Sequence, residues 1–405
     1  MINLFQNQLS AEQESSNRAL GDIVEKIAQS LNKNAHMLEN FTVEDGWLGA
    51  CLFYCYYAKY TGDDRHFDKV VAYLDKALPL IDYQCFKAHY PNDGYDFNLS
   101  GLGMFLIKAV DNGFLDMDIC PYLEKIDDVL YDQCRDKINH GDFNLSSGAL
   151  AMGHYLLSNG CRSAKNESLL IEIIEGIEKQ AIKSREGGIY WMSTYIKDRV
   201  YTGLRHGSVM VISFLSAAFD KGILKDKCLS LIKQGMDFLI SCRRNGSNNL
   251  FPIYLEDFEQ KNEFGLCELE IGYGLLRGAI TLKDASMVAV AKEVLMTCTE
   301  RCFKDQQNMD ASIRHGASGL AYLYERISRM DPTEDKYLQA YDYWIRQLPK
   351  YATAQKEFCG FESHLQRASN SYKLSFSGGI IGIGITLMKH LKKDLPRLDG
   401  FINTY

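Results

Sequence analysis

Seven times along the chain, a few small residues lead straight into an apolar helical pattern. The segments are "DGWLGACLFYCYYAKYTGD" (45–63), "DFNLSGLGMFLIKAV" (96–110), "DFNLSSGALAMGHYLLS" (142–158) and "GLRHGSVMVISFLSAAF" (203–219). They continue with "LCELEIGYGLLRGAITLKD" (266–284), "IRHGASGLAYLYERI" (313–327) and "FSGGIIGIGITLMKHL" (376–391). With Gly49, Gly103, Ala151, Met210, Gly272, Gly319 and Gly382 taken as equivalent, the steps are 54, 48, 59, 62, 47 and 63 residues. Each step has room for a second helix. "FDKVVAYLDKALPLI" (67–81), "PYLEKIDDVLYDQC" (121–134) and "LLIEIIEGIEKQAIKS" (169–184) keep apolar residues at helical spacing and fill that role. A helix that is apolar nearly all round must be surrounded by protein. Small residues at its start let backbones approach closely and leave amide N–H groups uncovered. The expected fold is all-α, a closed α/α toroid of seven helical hairpins with inner and outer rings, formed as one domain over 1–405. The inner-helix N-termini are expected to line a pocket at one mouth.

Strand alternation long enough for a sheet is missing, and seven prolines force little of the chain out of helix. A hydrophobic fraction of 46% with 24% charged residues suits a large buried core. Net charge −7 argues against a nucleic-acid partner, which would need a basic face. No apolar run approaches the roughly 20 residues that span a bilayer, and "MINLFQNQLSAEQESSNRAL" has no signal-peptide pattern. The twelve cysteines include no CxxC pair and read as reduced thiols. A cytoplasmic monomer is the expectation.

Two of the seven segments carry the same tripeptide. "RHG" opens the fourth and sixth inner helices, with Arg205 and His206 in one and Arg314 and His315 in the other. Arginines at equivalent positions could bind a carboxylate or phosphate of a substrate, or pair with a nearby Glu or Asp. The histidines could act as acid, base or metal ligand, or simply bond a neighbouring loop. Cys267 is a candidate ligand or a small buried apolar residue. The i,i+4 pairs Cys51/Cys55 and Cys298/Cys302 read as core.

Together these segments resemble the lanthionine synthetase C-like family, the cyclases of lanthipeptide biosynthesis, over nearly the whole length. The resemblance rests on "GWLGACLFYCYYAKYTGD", "RHGS", "RHGASGLAYLYERI" and the closing "FSGGIIGIGITLMKHLKKDLPRLDGFI". It implies a zinc ion held by two Cys and a His. Cys267 in "GLCELEIGYG" stands at the first ligand position, with Leu266 and Leu269 in place of the flanking Trp and Gly. His315 stands at the His position, and Arg314 occupies the place of the second Cys. A catalytic zinc takes three protein ligands and keeps one open position, so a third donor is needed. Cys298, Cys302, Cys359 and His364 are the alternatives, and spacing singles out none. The resemblance further implies His206 as acid or base, with Asp96 or Asp142 orienting it; the register leaves both open. The family's Arg and Tyr near the first Cys are Glu263 and Glu268 here.

The implied reaction adds Cys thiols of a precursor peptide to dehydroalanine or dehydrobutyrine, after a dehydratase partner has acted. Zinc would lower the thiol pKa, and a His would protonate the enolate. One alternative is a catalytically degenerate, metal-free toroid that binds a peptide or partner protein. A carbohydrate-active α/α barrel is another, with acids in "YLEDFEQ" (254–260) and "CELE" (267–270), although such barrels usually have six hairpins.

Overall fold

The structure, a computed structural model, describes residues 2–145, 147–160, 163–193, 196, 198–244, 250–257, 266–301, 309–353, 357–365 and 367–401; the side chains of 2–13, 96, 97, 257, 266 and 267 lie outside that description. In chain order the helices are α1 (Ile2–Asn34), α2 (Trp47–Thr61), α3 (Phe67–Ala77), α4 (Tyr83–His89), α5 (Tyr95–Asp111), α6 (Cys120–Asn139), α7 (Ala149–Ser158) and α8 (Ala164–Gln180). They continue as α9 (Ser208–Asp220), α10 (Lys225–Ser241), α11 (Leu266–Leu282), α12 (Ala285–Thr299), α13 (Ala317–Met330), α14 (Lys336–Gln347), α15 (Asn370–Leu374) and α16 (Ile380–Leu391). A hairpin of two short strands, β1 (Ile182–Lys183) and β2 (Ile189–Tyr190), is the single sheet among the described residues.

The chain divides into two compact units, the first of residues 1–79, 307–328 and 337–398, the second of 80–306, 329–336 and 399–405. In the second unit α5, α7, α9 and α11 pack in series, and α6, α8, α10 and α12 lie against them. The two sets differ in burial as the sequence pattern requires. Residues 149–153 and 155–157 of α7 are all buried, while α6 buries one stripe, Leu123, Ile126, Leu130 and Cys134. Glycines set the spacing of the inner series. A Cβ on Gly103 would lie 2.4 Å from the Tyr155 ring, and one on Gly153 would lie 2.7 Å from Phe214. α5 and α7 thus each receive a large side chain of the next inner helix where they have none of their own.

In the first unit α2 is buried from Trp47 to Ala58 and α16 from Ile380 to Lys389. The seventh inner helix, α16, packs against α2 and against α1, from the other end of the chain. Leu20, Val24, Ile27, Ala28 and Leu31 form the buried stripe of α1, and Gly384 of α16 passes within contact of both Ile27 and Phe53. The nine cysteines whose side chains are described are free thiols.

Five inner helices start with the same loop. Gly46, Gly148, Gly207, Gly316 and Gly379 directly precede α2, α7, α9, α13 and α16. No side chain caps the N-termini at Gly46, Gly148, Gly207 or Gly379. The carbonyl six residues earlier takes over instead. Asn40 O accepts from Trp47 N (3.0 Å), Asp142 O from Ala149 N (2.8 Å) and Asp310 O from Ala317 N (3.0 Å). These bonds satisfy first-turn donors that a helix leaves open. They also bring that carbonyl over the glycine Cα. A Cβ would lie 2.2 Å from Asn40 O at Gly46, 2.6 Å from Asp142 O at Gly148, and 2.1 Å from Tyr201 O at Gly207. The same approach is 2.0 Å from Asp310 O at Gly316 and 2.1 Å from Lys373 O at Gly379. Where an N-cap φ is recorded it lies between −103° and −135°, open to any residue, so contact and not torsion demands glycine.

Gly379→Ala is therefore expected to destabilise by about 1–3 kcal/mol, the usual cost of forcing extra volume into packed structure. Gly101, inside α5 with nothing within 4 Å of its Cβ position, is the control: Ala there is expected to add about 0.5–1 kcal/mol. Thermal or denaturant midpoints of the two variants check the opposite signs.

Candidate functional site

The loop before α9 carries His206. Tyr201 forms an antiparallel bridge with Tyr254, and Thr202 N donates to Ile253 O (3.2 Å), which fixes the start of the loop. Gly207 N donates to Gly203 O (3.1 Å), which turns the chain into the helix and leaves His206 half-buried at its entrance. The Tyr201 ring meets the imidazole edge-on at 5.7 Å, and Tyr254 meets Tyr201 at 5.5 Å. On the other side, the Asn144 side-chain amide nitrogen lies 3.2 Å from His206 Nδ1. Asn144 is 4% exposed and belongs to the equivalent loop before α7.

Sequence reasoning offered Asp96 or Asp142 as the partner of His206 and missed Asn144. Asp142 lies two residues away and works on the loop itself: Oδ1 accepts from Asn144 N (3.2 Å), an Asx turn, and Oδ2 from Lys137 Nζ (3.4 Å). Asp96 lies within α5, and its side chain is outside the described residues. The identical string "DFNLS" is helix at 96–100 and loop at 142–145. A glycine six residues after the Asp, Gly148, exists in the second copy; the first has Leu102 there.

Acids of α11 are spoken for by its neighbours. Glu270 pairs with Arg205 (3.7 Å) and accepts from Leu204 N (3.2 Å). Glu268 pairs with Arg301 and accepts from Phe251 N (3.2 Å). Burial raises the Glu268 pKa, and Arg301 opposes the rise. Cys267 sits in the first turn of the same helix, with its side chain outside the described residues, as are Cys302 and Glu263.

In the first unit, the loop before α13 carries Arg314 and His315. Asp310, 4% exposed, is its centre: Oδ1 accepts from Ser312 N (2.8 Å) and Ser312 Oγ (2.6 Å), and Oδ2 from His364 N (2.8 Å). Ser312 Oγ accepts from His315 N (3.1 Å). These bonds set the rings of His315 and His364 side by side, with centroids 5.8 Å apart. Arg314 N donates to Ser377 O (2.8 Å), Ser377 N donates to Glu44 O (2.8 Å), and the guanidinium meets Glu44 Oε2 (2.7 Å) and Asp45 Oδ2 (3.4 Å). Both arginines of the repeated tripeptide thus meet carboxylates of the protein.

Two of the candidate zinc donors, His315 and His364, lie side by side here. Two imidazoles bound to one ion by bonds of about 2.0–2.1 Å would have centroids roughly 5–6 Å apart, and His315 and His364 have that separation. The charge of Arg314 beside them is answered by Glu44 and Asp45. Among the other donors, Cys298 is fully buried and Cys359 half-buried, and burial pushes their thiols up to about 12 and about 11. Among the described residues no cluster of three or more His, Cys, Asp and Glu side chains forms.

A double-mutant cycle on Glu44→Gln and Arg314→Gln is expected to give a coupling of about 1–3 kcal/mol, as charge-assisted bonds between partly buried groups do. Purely additive midpoints would show that the pair holds nothing.

The structure resembles that of nisin cyclase, with a TM-score of 0.68 and 17% sequence identity over 92% of this chain and 94% of that one. That likeness shows the fold class expected from the sequence, all-α and of the α/α toroid type. No curated protein matches. The family model for "Lanthionine synthetase C-like protein" matches residues 38–402. The chain belongs to the lanthionine synthetase C-like protein family.

Proposed function

We propose that the protein modifies peptides, closing thioether rings by adding Cys thiols of a dehydrated precursor to its dehydroamino acids. The S–H bond is broken, sulfur bonds to Cβ, the C=C pair moves to Cα as an enolate, and a proton is delivered there. The observation that carries the reading is His206, held between Asn144 and Tyr201 at the entrance of α9 in a chain of this family. An imidazole changes charge near neutral pH and can deliver the proton the enolate needs. Asp142 acts at one remove, by shaping the loop that carries Asn144. Arg205 and Arg314 would meet carboxylates of the peptide, in competition with Glu270 and Glu44.

A metal would be held by His315 and His364. Bound there, zinc would lower the pKa of a coordinated thiol. A second reading, a non-catalytic peptide binder, is favoured by Arg314 at the position where a ligand would stand.

Thiol addition leaves the peptide mass unchanged, so the assay is loss of alkylatable Cys in a dehydrated test peptide. The reaction is expected to run with the purified chain, and His206→Ala to slow it about 10²–10⁴-fold without loss of helicity. Binding of the peptide with no thiol loss would establish the second reading, and full activity in His206→Ala would remove that residue from the mechanism. Zinc content is a separate measurement. Near one ion per chain is expected in the wild type and loss of it in both His315→Ala and His364→Ala; a metal-free wild type purified with zinc present would overturn the ligand assignment.

A further inference from the structure

We infer that Asn144 sets the tautomer of His206, so that the neutral imidazole carries its proton on Nε2 and presents a hydrogen-bond donor to the reacting enolate there. The inference rests on the reading above for its chemistry, though not for its geometry. A side-chain amide nitrogen can only donate. With Asn144 Nδ2 3.2 Å from His206 Nδ1, Nδ1 must accept, and in a neutral imidazole the other nitrogen then holds the proton.

Asn144 has little freedom to do otherwise. Its backbone N–H donates to Asp142 Oδ1 (3.2 Å), and its carbonyl accepts from Gly148 N (3.0 Å). A Cβ on Gly148 would lie 2.4 Å from the Asn144 nitrogen, so the loop closes here because position 148 is glycine. The Tyr201 ring closes the imidazole's other side. Charges on the elements packed here come in pairs: Arg205 with Glu270, and Asp142 with Lys137. An ionised carboxylate at Nδ1 would hold a proton on that nitrogen and leave Nε2 a base. Aspartate at 144 would supply it. One amide in place of one carboxylate therefore decides whether Nε2 of the neutral ring donates a hydrogen bond or accepts one. In its neutral form such a histidine can hold the developing enolate oxygen by a hydrogen bond from Nε2; transfer of a proton to Cα needs the imidazolium form, and activation of the incoming thiol falls to another group. Asn144 is in these terms a positioning residue.

The test is a long-range ¹H–¹⁵N spectrum of uniformly ¹⁵N-histidine-labelled protein, in which the two ring nitrogens of a neutral imidazole are distinguished by which bears the proton. The chain has nine histidines, and the signals missing in His206→Gln assign the pair. A protonated Nε2 and bare Nδ1 above the titration midpoint are expected. Asn144→Asp is expected to invert the two and to raise the His206 midpoint by about 1 pH unit or more, as an adjacent opposite charge does. Asn144→Leu, which can neither donate nor accept, is expected to leave a mixture of tautomers. A protonated Nδ1 in the wild type would overturn the inference, and so would an Asn144→Leu spectrum identical to the wild type's. A chain with the Nε2–H form but no thiol addition would keep the inference and discard the proposed reaction.

Discussion

A carbonyl passing over a glycine Cα organises the entrances of five inner helices. The first turn of any helix has N–H groups with no partner inside it. Many helices answer with a capping Ser, Thr, Asp or Asn. At Gly46, Gly148 and Gly316 the chain answers instead with backbone from six residues upstream. The arrangement needs glycine at one position and places the intervening five residues in a tight loop beside the helix start. Several of the candidate site residues sit in such loops: His206 in the one before α9, Asn144 in the one before α7, His315 and Arg314 in the one before α13. The candidate site residues are thus held by the helix start itself, a rigid support for side chains that must keep a fixed angle.

Charge within these loops is balanced locally. The two arginines of the repeated tripeptide meet Glu270 in one unit and Glu44 with Asp45 in the other. Asp310 spends both oxygens on the loop and on His364 N. A guanidinium beside a metal ligand would be unfavourable by itself. With two carboxylates within 4 Å it is an anchored part of the wall.

Much of this was legible before the structure. Helices apolar on all sides and partners apolar on one stripe gave away an all-α fold of inner and outer helices, and the family followed from seven helix starts in order. Three things were not legible, each for a physical reason. Equivalence was read from glycines within the helices, such as Gly49 and Gly319, whereas the glycines that open the helices lie three residues earlier, at Gly46 and Gly316, crowded by Asn40 O and Asp310 O. The second and fifth units lack that glycine, having Ser100 and Leu269, and their helices begin before those positions instead. The partner of α16 is α1, at the opposite end of the sequence, which no local pattern announces. Asn144 was passed over because a search for an ionisable partner overlooks an amide. The signal was present nonetheless: Asn144 lies four residues before a helix-opening glycine and Asp142 six, and the sixth position supplies the carbonyl.

The measurement that bears most directly on the account is ring closure in deuterated water. Each addition must place a deuteron on the former dehydroamino acid's Cα, and a donor fixed on one face delivers it with one configuration. With His206 as that donor, the wild-type chain should yield a single diastereomer, and His206→Gln a slow reaction that gives both. The same single diastereomer at the same rate from both proteins would contradict the role assigned to His206 and to the loop that holds it.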